Sequence, residues 1–121
     1  MSLQTRQLAA ASGALAVTLG AFGAHALKNR ATADELEIWK TASQYHFIHT
    51  LAMLANHARQ AQSSRQMLLS NKLFVAGMLV FSGSLYMLVL TGQKKLGAVT
   101  PIGGFMLIGG WVALAFESTS A

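Results

Sequence analysis

The histidines are the residues of this sequence whose side chains are best suited to chemistry. His46, His49 and His57 lie in an eighteen-residue stretch that carries no formal charge. At 3.6 residues per turn, all three fall on one side of a helix, together with Trp39 and Met53. A neutral imidazole can ligate a metal ion, carry a proton near neutral pH or form hydrogen bonds between helices. This face is therefore the candidate functional surface of the chain.

A metal or haem site is the first interpretation of the face. His46 and His49 are about 4.5 Å apart along a helix axis, a spacing that two ligands of one ion can have. His57 lies roughly 16 Å from His46 along the axis, which is too far to share that ion. A further ligand would have to be His25 or water. Because the charge-free stretches contain no carboxylate, a carboxylate-rich di-iron bundle is excluded.

Two other interpretations need no metal. The histidines can line a proton relay or a polar ligand pocket, because ionisable groups inside a span face the bundle interior. They can also hydrogen-bond between helices, with Ser43, Gln44, Tyr45 or backbone groups as partners. The last interpretation is preferred, so we predict no catalytic residue, no cofactor and no resident metal. A Ser–His–Asp arrangement is excluded because no acid lies at this depth.

The composition is that of an integral membrane protein. Of 121 residues, 53% are apolar and 11% are charged, against roughly 25% charged in a soluble domain. The absence of cysteine excludes disulfides, thiolate metal sites and a cysteine nucleophile. The net charge of +5 comes from cations spread along the chain, with no nucleic-acid recognition motif. The predicted partner is therefore the lipid bilayer with its anionic headgroups, and not a nucleic acid.

Charges divide the chain into four spans of nearly equal length. The charge-free intervals contain 21, 18, 21 and 21 residues, and a hydrocarbon core needs about 20 residues of helix. Backbone groups in lipid must bond within their own segment, so each span should be helical. The predicted fold is all-α: one membrane domain over 1–121, an integral membrane bundle of four antiparallel transmembrane helices. The predicted spans are roughly 7–27, 39–58, 73–92 and 97–116.

Two sequence signals predict where helices begin. Thr32 and Glu35 form a capping box, which satisfies two free N–H groups at a helix start. We therefore expect a short interfacial helix over about 32–39 that leads into the second span. Thr100 can cap a helix and Pro101 fits its first position, so the fourth helix is also compatible with a start near Thr100.

The first span also has the pattern of a secretory signal peptide. Arg6, an apolar run and the Ala24–Ala26 triplet match the charged region, the apolar region and the cleavage site. The charge-free interval is nevertheless long enough to cross a bilayer, and small residues recur in it at packing spacing. We expect this segment to be retained as the first helix.

Large aromatic residues offer a different interpretation of part of the histidine face. Trp39, Tyr45, Tyr86 and Trp111 lie near the predicted span ends or one turn inside them. Amphipathic rings collect at this depth of a membrane protein, beside the lipid headgroups. We therefore expect Trp39 in an aromatic belt.

Small residues predict where the helices approach one another closely. Bundles in lipid rely on small side chains to bring backbones together. A glycine-rich fourth helix can also be mobile or contact a ligand, but close packing is the preferred interpretation. The predicted packing positions are Gly13, Ala16, Gly20 and Ala24 on the first helix and Gly103, Gly104, Gly109 and Gly110 on the fourth.

The charges predict orientation less clearly than they predict the spans. Four spans place both termini on the same side of the membrane. Basic residues are nearly balanced between the two sides, with four on one and five on the other. The connector with Arg59, Arg65 and Lys72 is the most basic, and basic connectors stay in the cytoplasm. We therefore expect cytoplasmic termini.

Four blocks of the sequence resemble a known family. The blocks are 20–28 (GAFGAHALK), 39–49 (WKTASQYHFIH), 81–86 (FSGSLY) and 97–104 (GAVTPIGG). They occur in the same order in the small membrane proteins of the domain of unknown function 423 family, and the transmembrane protein 256-like proteins of animals are similar. The resemblance implies a multi-pass protein of the bacterial inner membrane. It implies no activity, cofactor or catalytic residue.

The family blocks and the histidine face share a set of polar and aromatic residues. A short link between the first two helices places His25 at about the depth of Ala42. We therefore predict a polar cluster at one mouth of the bundle that sets the register of helices one and two. Its members are His25, Trp39, Tyr45, His46 and His49.

The sequence favours a non-enzymatic accessory or partner-binding membrane component. The absence of a soluble domain and the small-residue stripes point to this function, with another membrane protein or a second copy as partner. The alternative is a redox or transport component that uses the histidine face to hold a metal, haem, proton or small ligand.

Overall fold

The protein is all-α, as the sequence predicts. The computed structural model describes residues 2–60 and 67–117, so Arg65 of the predicted basic connector lies outside them. The described residues contain no strand. They form α1 (Ser2–His25), α2 (Ala33–Arg59), α3 (Leu69–Thr91) and α4 (Thr100–Phe116), with a 3₁₀ turn over Lys94–Ala98.

Consecutive helices run antiparallel and pack side by side. The indole N–H of Trp39 donates to the carbonyl of Leu19, and His46 contacts Ser12. Later residues of α2 therefore contact earlier residues of α1, so the two helices run in opposite directions. α2 packs between α1 and α3, and α3 packs against α4. This order makes α2 and α3 the inner helices and leaves α1 and α4 at the edges.

The start of α2 follows the predicted capping box. The Thr32 hydroxyl accepts a hydrogen bond from the Glu35 backbone N–H at 3.1 Å, and the Glu35 carboxylate accepts one from the Thr32 N–H at 2.9 Å. The helix then continues unbroken through Trp39 to Arg59. The segment predicted to be a short interfacial helix is therefore the beginning of α2 itself.

The start of α4 differs from the prediction in one detail. Pro101 occupies the first turn as expected, but the cap residue is Val99 and no side chain caps the helix. The Thr100 hydroxyl instead lies 2.6 Å from the Ser84 hydroxyl of α3. Thr100 therefore ties α4 to α3 rather than capping α4.

Three helical stretches are long and apolar enough to cross a membrane, judged by length and composition over the described residues. They are Thr5–His25, Leu69–Thr91 and Lys94–Phe116. The predicted second span, within α2, does not reach this apolar level because polar side chains interrupt it. Most of those on its inner face hydrogen-bond to other helices or to the backbone of α2, which removes their cost in lipid.

Glycines bring α3 and α4 into close contact. A Cβ added to Gly103 would overlap the backbone of Phe81, and one added to Gly110 would overlap the Phe74 ring. Gly77 of α3 makes the matching space for Leu107 of α4. A glycine on each helix thus leaves space for a large side chain of the other helix.

The other two glycines predicted to pack on α4 have more room. A Cβ would lie 3.7 Å from the Phe81 ring at Gly104 and 3.6 Å from Leu73 at Gly109, which are ordinary van der Waals distances. These two positions flank the α3–α4 contact without forming its closest points.

Small residues of α1 meet α2 at a different set of positions. Ala16 is fully buried, and a Cβ at Gly13 would lie 3.7 Å from Thr50. Gly20 has no heavy atom near its Cβ position, and Ala24 is exposed. The closest approach is at Gly23, which packs directly on the Trp39 indole.

Candidate functional site

The histidine face of α2 points into the bundle. Trp39, His46, His49 and Met53 are all buried, whereas Ile48 on the opposite side is half exposed. A face with polar side chains turns inward because lipid offers them no hydrogen-bond partner. The candidate site is therefore built where α2 meets its neighbours.

A central polar network joins three helices around His46. The His46 Nδ1 lies 3.0 Å from the Tyr86 hydroxyl of α3, and its Nε2 lies 3.0 Å from the Ser12 hydroxyl of α1. Ser12 also lies 2.6 Å from the Thr50 hydroxyl. We call Ser12, His46, Thr50 and Tyr86 the central polar network.

The network has a consistent donor order. The Thr50 hydroxyl donates to the backbone carbonyl of His46 at 2.8 Å, so Ser12 must donate to Thr50. The Ser12 oxygen then accepts from the Nε2–H of His46, and the His46 Nδ1 accepts from Tyr86. Each hydroxyl donates once along this chain, and His46 is a neutral Nε2–H tautomer.

His49 lies in a separate site toward α4. The indole N–H of Trp111 can only donate, so the His49 Nε2 at 3.0 Å accepts from it. The His49 Nδ1 lies 2.7 Å from the Tyr45 backbone carbonyl, which can only accept. His49 is therefore a neutral Nδ1–H tautomer, opposite to His46.

These contacts decide what the two histidines can do chemically. A metal ligand needs a free nitrogen lone pair, and the hydrogen bonds of His46 and His49 occupy all four ring nitrogens. Over the described residues, no group of three histidine, cysteine or acidic side chains comes together. The two imidazoles hold helices together in this arrangement and would have to break those bonds to ligate an ion.

Trp39 contributes packing rather than a membrane-surface anchor. Its side chain is 3% exposed, and its Nε1–H donates to the Leu19 carbonyl at 2.8 Å. The indole packs against Tyr86 with ring centroids 4.7 Å apart. The aromatic-belt expectation for Trp39 is therefore wrong, because the close approach of Gly23 draws the ring between α1 and α3.

Tyr45 lies at the edge of the site. Its side chain is 40% exposed and stacks on Phe81 at 4.4 Å between ring centroids. Its backbone carbonyl accepts from His49, and its ring stacks on the His49 ring with centroids 6.1 Å apart. The tyrosine that completes the central polar network is Tyr86 of α3.

The structure does not bring His25 to the other histidines. His25 ends α1 and is exposed, whereas His46 contacts Ser12. His25 is thirteen residues beyond Ser12, or about 20 Å along the axis of α1. The predicted cluster at one mouth of the bundle is corrected accordingly. α2 begins at Ala33, so the end of α1 faces the start of α2 and not the depth of Ala42.

Sequence reasoning missed Ser12 and gave Tyr86 and Trp111 only a role in the aromatic belt. A signal for Ser12 was available, because it lies three residues after Ala9 and four before Ala16, on the same face of α1. The partners on α3 and α4 had no such signal, since their pairing depends on how the helices pack.

A second polar network joins the ends of three helices. The Glu117 carboxylate accepts from the Ser70 backbone N–H at 2.9 Å and from its hydroxyl at 2.6 Å. The Asn56 amide donates to Ser70 at 3.0 Å and to Asn71 at 2.9 Å. Glu117 thus caps α3, whose own cap residue Leu68 supplies no side-chain bond.

A lateral cleft of about 340 Å³ lies between α1 and α3, above the central polar network. Apolar side chains such as Leu8, Leu15 and Leu79 form its walls, and His46 and Tyr86 lie at its floor. Because the polar groups of the floor are bonded to one another, the surface that faces the cleft is apolar. The cleft is suited to contact with hydrocarbon.

Comparison with known proteins gives one family. Residues 19–104 match the family described as "Protein of unknown function (DUF423)". The chain is 42% identical to the UPF0382 membrane protein SAB0533 of Staphylococcus aureus (strain bovine RF122 / ET3-1), over 88% of each chain.

Other bacteria have similar proteins. The UPF0382 membrane protein YwdK of Bacillus subtilis (strain 168) is 39% identical over 88% of this chain and 89% of its own length. A UPF0382 membrane protein of Haemophilus influenzae (strain ATCC 51907 / DSM 11121 / KW20 / Rd) is 38% identical over 92% and 90%. No solved structure matches the chain.

Proposed function

Because this chain belongs to the DUF423 family of membrane proteins, whose function is unknown, we propose that it is a non-enzymatic accessory component of the membrane. One observation carries the proposal. The ring nitrogens of His46 and His49 are all engaged inside the bundle. The side chains best suited to chemistry thus serve to join helices, and the protein acts through its outer surface without a cofactor.

The edge helices supply the surface for a partner. In an eighteen-residue apolar window of the stretches Thr5–His25 and Lys94–Phe116, 17% of the residues are buried, against 44% in the corresponding window of α3. Large apolar side chains project from them, including Phe105 at 73% exposure and Phe116 at 86%. Another membrane protein or a second copy of this chain can pack on such a helix through shape and close contact.

Photo-crosslinking in native membranes tests this function. We expect a photoreactive residue at Phe105 to give one discrete adduct that survives mild detergent extraction. The same probe at Leu107, which is 3% exposed, should give no intermolecular adduct. If Phe105 gives only a lipid adduct or a diffuse smear, α4 has no specific partner and the proposal is wrong for this helix.

Spectroscopy of the purified protein tests the absence of a cofactor. We expect no visible absorption band and less than one metal ion per ten chains. A haem band or a stoichiometric metal that disappears in both His46→Leu and His49→Leu would replace the accessory function with the redox or transport alternative.

The proposed location is the bacterial inner membrane, with both termini in the cytoplasm. Support comes from the second polar network, which holds the end of α4 beside the end of α2 and the start of α3. Reporter fusions at Ala121 and within Gly92–Lys95 should report opposite sides of the membrane, with Ala121 cytoplasmic. A periplasmic signal at Ala121 would overturn the orientation.

A further inference from the structure

A second cavity, of about 430 Å³, lies between the end of α1 and the start of α2. It opens at the end of the bundle that carries His25, and two of its lining residues, Trp39 and Ser43, adjoin Tyr86 of the central polar network. Its lining includes Gly20, Gly23 and Ala24 of α1, Trp39 of α2, and the two lysines Lys28 and Lys40. We call it the interfacial cavity.

Two glycines create the space. Gly20 has no heavy atom within 4 Å of the position where a Cβ would lie. Gly23 packs on the Trp39 indole, which is held in place by its hydrogen bond to the Leu19 carbonyl. The Trp39 indole therefore forms a fixed wall of the cavity, and the space beside Gly20 stays open.

The rim of the cavity carries positive charge. Residues 28–40 contain three basic and three acidic side chains, yet only Lys28 and Lys40 line the cavity and no acid does. Lys40 lies 3.9 Å from Glu37, but both side chains are 75% exposed. Such a pair is weak in water, so the Lys40 ammonium group can bind an anion in its place.

The depth of the cavity matches the boundary between hydrocarbon and headgroups. Gly20 and Ala24 belong to the last two turns of the apolar stretch Thr5–His25, and Lys28 follows its end. The wall formed by Gly20 and Ala24 therefore lies beside the acyl chains of the membrane, whereas the lysines reach the level of the lipid phosphates. Long cationic side chains extend toward that level from helix ends.

We propose that the interfacial cavity binds an anionic phospholipid. Lys28 and Lys40 hold its phosphate, and the first part of one acyl chain lies against Gly20 and Trp39. Basic pockets between transmembrane helices are suited to anionic headgroups. The shape and the charge of the cavity thus favour the same occupant, independently of which protein packs on the outer helices.

Fluorescence of Trp39 reports on the occupant, because the indole forms part of the wall. The full chain carrying Trp111→Phe, which leaves Trp39 as its single tryptophan, is placed in nanodiscs. Chain-brominated phosphatidylglycerol or phosphatidylcholine is then titrated in as the quenching lipid. We expect half-maximal quenching at a lower mole fraction of phosphatidylglycerol than of phosphatidylcholine. Equal quenching by the two lipids would overturn the proposal.

Charge variants test the role of the lysines. Lys28→Gln and Lys40→Gln should each weaken the phosphatidylglycerol effect by about fivefold, the value expected for one cation at an anionic lipid surface. Lys94→Gln and Lys95→Gln remove charges at the same end of the bundle but outside the cavity, and should change little. Equal losses in both pairs would show general surface attraction and refute a specific site.

Filling the cavity tests its location. Gly20→Leu places a side chain in open space on α1 and should abolish quenching by the bound lipid while circular dichroism stays helical. Ala24→Leu offers a second way to fill the cavity should Gly20→Leu not fold. Unchanged quenching in a folded filled variant would refute the site. Displacement by inorganic phosphate alone would also refute it, because the occupant would then be a free anion.

Discussion

The replacement His46→Leu tests whether the central polar network holds the bundle together. Leucine is of similar size, so the change removes hydrogen bonds without leaving a large cavity. The bonds to Tyr86 and Ser12 are lost, each worth about 0.6 kcal/mol between helices in a membrane. Ser12 keeps its bond to Thr50.

The stranded hydroxyl of Tyr86 adds to this loss. Tyr86 is 7% exposed, and its remaining neighbour, Ser43, is at 3.5 Å, the limit of a hydrogen bond. Leaving a buried polar group without a partner costs about 1–3 kcal/mol. With partial relief from Ser43, we expect a total loss of about 2 kcal/mol, or roughly a thirtyfold rise in the unfolding constant.

Reversible unfolding in mixed detergent micelles measures this loss. His57→Leu is a matched control on the same helix, because the His57 Nδ1 has no hydrogen-bond partner in the described part of the chain. Because this change removes an unpaired buried nitrogen and breaks no bond of it, the stability of the variant should be no lower than that of the parent. Adding Tyr86→Phe to His46→Leu removes the stranded hydroxyl and should restore about 1 kcal/mol.

Two results would refute the reasoning. One is a His46→Leu protein as stable as the parent, which would mean that the network adds nothing to the bundle. The other is additivity of His46→Leu and Tyr86→Phe within about 0.3 kcal/mol, because directly bonded side chains should be coupled.

Three further predictions test other contacts. Gly103→Ala should destabilise the protein by about 1–3 kcal/mol through overpacking against α3, whereas Gly104→Ala should be tolerated; thermal unfolding of the two variants side by side decides between them. Trp111→Phe should free the outer nitrogen of His49 and increase its modification by diethyl pyrocarbonate, measured by peptide mass spectrometry; an unreactive histidine would contradict the assignment. Glu117→Ala should remove the cap of α3 at a cost of about 1 kcal/mol, seen as faster hydrogen exchange in its first turn; unchanged exchange there would contradict it.

Helices and their inward faces followed from local properties of the sequence. The capping box at Thr32 predicted the start of α2 because its two hydrogen bonds involve residues only three apart. The histidine face was assigned inward because helical periodicity places its members together and lipid does not solvate them. Charge spacing predicted the apolar lengths of three helices. Charge spacing did not separate α2 from the three more apolar helices, because it does not show that the polar side chains of α2 bond to neighbouring helices.

The candidate site was predicted only in part. His46 and His49 were identified, but their partners Ser12, Tyr86 and Trp111 come from three other helices. A hydrogen bond between helices depends on their axial offset and rotation, which local sequence rules do not specify. For the same reason, the two histidines belong to separate sites although they are neighbours on α2.

The register between α1 and α2 shows where the sequence by itself reaches its limit. The sequence determined an all-α membrane protein, the start of α2 and the face that it buries, because charge, capping and periodicity act within one segment. Only the tertiary structure decided that Gly23 packs on Trp39 and that His25 stays away from His46. Those outcomes depend on the axial offset at which small residues let the two helices pack most closely. This offset is set by both helix surfaces together and not by either segment alone.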